Sequence, residues 1–238
     1  MKKIVSFTTI PSRIENINKT IDSIHNQTIK PDIMYVCIPY KCRRQEKKEY
    51  IIPEFIKEYI NVKIIRTKYD YGPSMKLLPV LEHEKDPESI IITIDDDHIY
   101  SKEFIKTLIN YSKIYPDSAL GFNGWNVKPL INRKKYEFIN KTMSEPTGAD
   151  VLEGYRGVLY KRKFFNEEIF RYEGFPEIAF NVDDVWISAH LAKNNIKRIV
   201  LPGVYCKGHG SPKPLNKKAG FKRFNRNMAI EFAKREYW

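Results

Sequence analysis

The sequence predicts a single α/β domain with a mostly parallel central sheet flanked by helices. Three observations carry this. Short β-branched apolar runs alternate with segments of helical period through the first half of the chain. One of them, Ser89-Ile-Ile-Ile-Thr-Ile94, follows Pro87 and reads as a strand buried on both faces. That run stops at Asp95-Asp96-Asp97, so three carboxylates fall at the C-terminal end of a strand, where open α/β sheets bind ligands.

Taken in order, Lys3 to Thr9 is expected as a first strand, and Ile14, Ile17, Ile21 and Ile24 follow at helical spacing up to Asn26. Ile33 to Ile38 is a second strand, and a charged helix interrupted by Pro53 is expected over 43–59. Val62 to Arg66 is a third strand. Tyr71-Gly-Pro73-Ser then forms a turn into a helix that turns Leu77, Leu78 and Leu81 inward. After the acidic strand, a helix from Ser101 to Tyr115 is expected with Ser101 as its N-cap. Leu120 to Trp125 and Val151 to Tyr160 read as strands, and 128–148, polar and without period, as a loop excursion over the sheet. A helix starting near Asp183 and a strand over 196–201 complete the pattern, before a basic tail. This divides the single domain into a first half over 1–118, a second part over 119–205, and a basic C-terminal lid and helix over 206–238.

Composition narrows the class. Of 238 residues, 42% are hydrophobic and 13% aromatic, which excludes disorder for most of the chain. No stretch approaches the roughly 20 apolar residues of a spanning helix, and the opening apolar run is broken by Ser and Thr and stopped by Pro11. With Cys37, Cys42 and Cys206 odd in number and lacking metal-type spacing, reduced thiols in a cytoplasmic protein are expected. The net charge of +12 is concentrated in the tail, where residues 206–238 hold nine Lys and Arg against two Glu. Such a surface suits an anionic partner, whether a nucleotide diphosphate, an acidic glycan, a lipid-phosphate headgroup or nucleic acid, and charge alone does not choose among them.

Three adjacent carboxylates repel one another unless a cation or donors from a ligand neutralise them, and hard oxygen ligands suit Mn²⁺ or Mg²⁺. Asp183-Asp184 opens the later helix, where it serves either as a favourable N-terminal charge or as a general base. His209, between Gly208 and Gly210, is placed to complete a metal held by Asp97. Lys76 and Lys213 are candidate phosphate clamps. A phosphatase with an Asp nucleophile and a non-catalytic basic binder are the competing readings, although Ile99 stands where such a phosphatase wants Ser or Thr.

Val5-Ser-Phe-Thr-Thr-Ile-Pro-Ser-Arg13, Gly72-Pro-Ser-Met-Lys76-Leu-Leu-Pro79, Ile94-Asp-Asp-Asp-His-Ile-Tyr100 and Val182-Asp-Asp-Val-Trp186 together resemble nucleotide-sugar glycosyltransferases of the GT-A fold, of the small family-2-like type. The resemblance spans about residues 3 to 210, with the motifs in the family's order, and implies a nucleotide-binding half over 1–118, an acceptor and catalytic part over 119–205, and a basic tail that touches an anionic membrane peripherally or an acidic acceptor, with no nucleic acid expected. It implies transfer of a sugar from a nucleoside-diphosphate sugar, a UDP-sugar by preference, to a glycan or glycoconjugate hydroxyl. It implies a DXD-type cluster with Asp97 as metal ligand, Asp95 and His209 completing the set, and Asp95 or Asp96 on the ribose. Asp184 is then the first candidate for the base and Asp183 the second. The chain departs from the family after its second strand, where Ile38-Pro39-Tyr40 replaces a base-reading Asp, so that base recognition shifts to Thr9, Arg13 or Asp70. The His209-Gly-Ser-Pro-Lys213-Pro tail is similar to that of some retaining enzymes, which leaves inversion and retention both open.

Overall fold

The computed structural model describes residues 1–131, 134–139, 143–172, 181–203, 205–209 and 219–237. In chain order the elements are β1 (Lys3–Phe7), α1 (Asn18–His25), β2 (Ile33–Pro39), β3 (Lys41–Cys42), β4 (Lys48–Glu49), β5 (Val62–Thr67), α2 (Leu78–His83), β6 (Ile90–Thr93), β7 (His98–Tyr100) and α3 (Phe104–Ile114). Then come β8 (Ser118–Gly121), β9 (Gly124–Ile131), β10 (Lys134–Phe138), β11 (Thr147–Gly148), β12 (Val151–Leu152), β13 (Val158–Lys161), α4 (Asp183–Lys193), β14 (Lys197–Val200), β15 (Cys206–Gly208) and α5 (Ala219–Glu236).

Eight strands form one sheet in the order β11-β14-β8-β13-β6-β1-β2-β5. β6 sits inside it, parallel to β1 (Ile91 opposite Ile4) and antiparallel to β13 (Ile92 opposite Leu159). The expectation of a mixed α/β domain with a mostly parallel sheet holds, with antiparallel pairs where β13 and β11 enter.

Alternation along the strands builds a core on each face. Val5 and Phe7 of β1 and Ile90 and Ile92 of β6 pack with Ile17, Ile21 and Ile24 of α1 and Phe104, Ile105 and Leu108 of α3. Ile4 and Ile91 point the other way, onto Leu78, Val80 and Leu81 of α2 and Trp186, Ile187 and Leu191 of α4. Because side chains on a strand alternate with period two, the unbroken Ile90-Ile91-Ile92 run is what a strand covered on both faces requires. Each of these isoleucines is 0% exposed, which stabilises the fold by about 2 kcal/mol per side chain.

Several local expectations are corrected. No charged α-helix forms over 43–59; β3 and β4 pair as a ribbon turned by Glu46 and Lys47 at φ 52° and 62°, and short 3-10 helices cover Arg43–Gln45 and Glu54–Glu58. Buried Tyr50 anchors the segment by donating its hydroxyl to the Thr9 carbonyl at 2.9 Å. The loop expected over 128–148 contains β10, paired antiparallel with β9 in a three-stranded sheet of order β10-β9-β12. Pro129 and Lys128 disguise the alternation there, since proline demotes a run that otherwise reads as a strand. Nor does Ser101 cap α3 with its side chain; the cap comes from another element, buried Gln27. Its Oε1 accepts from Ile105 N at 3.0 Å and its Nε2 donates to the Ser101 carbonyl at 2.7 Å. The first residues of the expected C-terminal lid form β15, paired with β7, while 210–218 lie outside the described residues.

Candidate active site

A cleft of roughly 700 Å³ opens at the C-terminal ends of the parallel strands. Thr8, Thr9 and Arg13 follow β1, Pro39 ends β2, Asp70 follows β5, and Asp95, Asp96 and Asp97 follow β6. The opposite wall comes from the later chain: Glu153 and Tyr155 from the turn before β13, and Asp183 and Asp184 from the first turn of α4. Both acidic sequences therefore meet in one cavity.

Lys76 joins them. It ends a 3-10 turn (Gly72–Lys76), is 5% exposed, and places Nζ 2.8 Å from Asp95 Oδ1 and 3.2 Å from Asp183 Oδ2. Burial works against its ammonium, but Asp183, Asp95 and Asp184 outweigh it and hold the lysine well above its ordinary pKa. It is a buried cation shared between two carboxylate sites, not a solvated surface lysine. Asp184 accepts the Gly154 N–H at Oδ1, 2.9 Å away. Burial and then the charge of Asp183 push its carboxyl well above the usual range, with Lys76 pulling the other way. Gly154 leaves room for this contact: a Cβ at that position would stand 2.7 Å from Lys76 Nζ and 3.3 Å from Asp184 Oδ1, so the end of the lysine would have to shift.

The three strand-end carboxylates differ. Asp96 is buried, accepting from Thr9 Oγ1 at 2.6 Å and from Arg13 Nη2. Burial pushes its carboxyl up to about 6 against the pull of Arg13 and Thr9. The same Arg13 nitrogen reaches Asp97 Oδ2 at 2.7 Å, and His98 Nδ1 lies 2.8 Å from Asp97 Oδ1. Burial of Asp97 is thereby outweighed, and His98 and Arg13 hold its carboxyl below the ordinary value. Thr9 and Arg13 thus serve the carboxylate cluster itself. Asp70, the third candidate for base recognition, spends both oxygens on backbone, accepting from Arg43 N at 2.6 Å and Gly72 N at 2.7 Å.

His209 donates its backbone N–H to the Asp97 carbonyl at 3.0 Å, and its Nε2 lies 3.3 Å from the Thr20 hydroxyl, which also reaches the Asp96 and His98 carbonyls at 2.9 Å. His209 thus stands beside the acidic turn. Lys213 lies outside the described residues. For a divalent ion the donors are right in kind, carboxylate oxygens and imidazole nitrogen. As arranged they do not form its site: both oxygens of Asp97 are engaged, and among the described residues no three His, Cys, Asp or Glu converge.

Sequence reasoning missed Glu153, Tyr155, Arg44 and Arg226. Arg226 reaches over from α5 to Glu153 Oε1 at 3.1 Å, and Arg44 Nε donates to Asn181 Oδ1 at 2.8 Å across the mouth of the cleft. No local pattern announces these residues, since folding alone brings them within reach.

The family model described as glycosyl transferase family 2 matches residues 9–176. The chain belongs to glycosyl transferase family 2. Membership of that family speaks for neither the phosphatase nor the non-catalytic binder. The chain's GT-A fold is shared with solved structures of low identity. S. aureus TarS 1-349 is similar at a TM-score of 0.52 and 16% identity, over 87% of this chain and 60% of that one. GalNAc-T7 with UDP, GalNAc and Mn²⁺ is similar at 0.60 and 14%, over 97% and 48%. The family 2 chain thus spans about half to three fifths of the length of these two structures. No curated protein matches it.

Proposed function

We propose that this family 2 enzyme transfers a sugar from a nucleoside-diphosphate sugar, a UDP-sugar by preference, to a hydroxyl of a glycan or glycoconjugate. The observation that carries the reading is the single cleft in which Lys76 links Asp95 at the strand end to Asp183 at the start of α4. In this reading Asp95, less buried than Asp96, contacts the ribose, while Asp96 is held inside by Arg13 and Thr9. Asp184 accepts the acceptor's proton, and the Lys76 ammonium beside it favours the ionised form that a base needs, against burial and the charge of Asp183. Asp183 keeps Lys76 in place beside it. The similarity to a structure with UDP, GalNAc and Mn²⁺ supports the choice of a UDP-sugar.

A requirement for Mn²⁺ or Mg²⁺ at Asp97, Asp95 and His209 belongs to the same proposal, and it needs Arg13 or His98 to release Asp97. A cytoplasmic location, with peripheral contact to an anionic membrane or acidic acceptor through the basic tail, is the setting proposed for it; no helix among the described residues is long and apolar enough to cross a membrane. The test is a panel of nucleotide sugars with Mn²⁺ and with EDTA, scored for thermal stabilisation and slow donor hydrolysis. Stabilisation by UDP-sugars with Mn²⁺ is expected. No response to any nucleotide sugar defeats the donor assignment, and an equal response in EDTA defeats the metal requirement.

A further inference from the structure

Lys76 and the carboxylates it faces come from distant parts of the chain. The lysine ends the 3-10 turn Gly72–Lys76, whereas Asp183 and Asp184 open α4. Met75 and Leu77 share a core with Trp186 of α4, but apolar packing is non-directional and fixes neither the rotation of the turn nor that of the helix. One side chain behind the cleft touches both pieces. Tyr172 donates its hydroxyl to Ser74 Oγ at 2.8 Å, and its ring centroid lies 6.3 Å from that of Tyr71, the residue just before the turn. The same ring stacks on Trp186, with centroids 4.4 Å apart and planes at 19°.

Both contacts transmit to the cleft. Ser74 stands two residues before Lys76 on a helix of three residues per turn. A rotation that releases Ser74 therefore swings Lys76 Nζ from its place 2.8 Å from Asp95 Oδ1 and 3.2 Å from Asp183 Oδ2. Trp186 stands three residues after Asp183, on the same face of α4, and its Nε1–H is fixed on the Ile169 carbonyl at 2.9 Å. Burial pushes the Tyr172 hydroxyl pKa up, so it stays protonated and able to donate.

We propose that Tyr172 is a positioning residue for sugar transfer: by holding Ser74 with its hydroxyl and Trp186 with its ring, it sets where the Lys76 ammonium stands against Asp183 and Asp184. The role in transfer rests on the reading above, but the placement of Lys76 does not. A hydrogen bond and a stacked ring are directional where the surrounding core is not, and a shift of about 1 Å in a group beside the reacting atoms is enough to slow a reaction.

The test compares wild-type protein with Tyr172→Phe, Ser74→Ala and the double variant, by steady-state kinetics, melting curves and NMR of the Lys76 ammonium in protein labelled with nitrogen-15 lysine. Tyr172→Phe keeps the stacked ring and loses only the hydroxyl. It should lower kcat by about tenfold or more and shift the Lys76 signal. Donor KM should change little, because Asp95 is held separately, its N–H donating to the Tyr100 hydroxyl at 3.1 Å. Ser74→Ala removes the same bond from the other side and should reproduce both changes, and the double variant should add nothing to either. If Tyr172→Phe does not fold, Ser74→Ala carries the same expectation. A lower melting temperature, with kcat and the Lys76 signal as in the wild type, would mark a purely structural tyrosine and overturn the proposal; so would losses that add in the double variant. Wild-type protein that transfers no sugar defeats the nucleotide-sugar reading instead. The Lys76 signal then decides the placement by itself: moved in Tyr172→Phe it supports the brace, unmoved it overturns it.

Discussion

Lys76, Asp184 and Gly154 share one packed corner, and single changes there separate chemistry from stability. Asp184→Asn keeps the size of the side chain and its bond to the Gly154 N–H, so folding and donor binding should survive while turnover falls by about 10²-fold. Product anomeric configuration, read by NMR, checks the role: a retained configuration or normal turnover removes Asp184 as the base. Gly154→Ala places a methyl group 2.7 Å from Lys76 Nζ, and the ammonium must leave its seat between Asp95 and Asp183. A misplacement of that size should lower kcat/KM by about 10²-fold. Steady-state kinetics beside a melting curve check it, and unchanged kinetics would show the corner to be slack. At this scale the sequence was informative wherever chemistry-bearing residues sit in runs, as in Asp95-Asp96-Asp97 and Asp183-Asp184. It was silent on partners. That Arg13 serves Asp96 and Asp97, or that Asp70 is spent on two backbone N–H groups, follows from approaches across tens of residues that no spacing encodes.

Among the elements, α3 depends on a residue from outside it. Gln27→Leu strands the Ile105 N–H and leaves the Ser101 carbonyl with the Phe104 N–H alone, and should cost about 2 kcal/mol in a urea titration. A loss below about 0.5 kcal/mol, the low end of a net hydrogen bond, would mean that water fills the gap. Helix α4 carries a pH dependence through His190, 1% exposed, with Nε2 unpartnered and its ring 4.5 Å from that of Trp186 and 4.8 Å from that of Tyr237. Burial, and then the charge of Lys193, lower its pKa from 6.5 to about 4, with Glu168 opposing. The unfolded chain therefore binds the proton first as pH falls. Stability present above pH 6.5 is lost down to about pH 4, by up to about 3 kcal/mol from this group. His190→Phe should flatten that slope when unfolding is followed between pH 4.5 and 7.5; an equal slope in the variant would assign it to other groups. Long periodic elements such as α1 and β6 were legible because burial on a fixed face leaves a period. The ribbon at 41–49 was not, since its turn rests on left-handed backbone at Glu46 and Lys47, residues that carry no turn signature.

Across the whole molecule, charge is divided. The chain carries +12, yet among its charged side chains the cleft holds seven carboxylates against four Lys and Arg, so the site is opposite in sign to the chain as a whole. Connectivity has a further consequence. The strand that ends in the carboxylates is hydrogen-bonded on one side to β1, made long before it, and on the other to β13, made long after. As the chain emerges from a ribosome, Ile90–Thr93 can dock on β1 at once, but its second edge stays open until Lys161 has appeared. A fragment ending at residue 118 should therefore expose a short apolar edge and self-associate, as light scattering would register. Monomeric behaviour of that fragment would show that something other than β13 shields the edge. For this chain, completing the strand that carries the carboxylates and guarding against aggregation are one event in time, set by when β13 arrives.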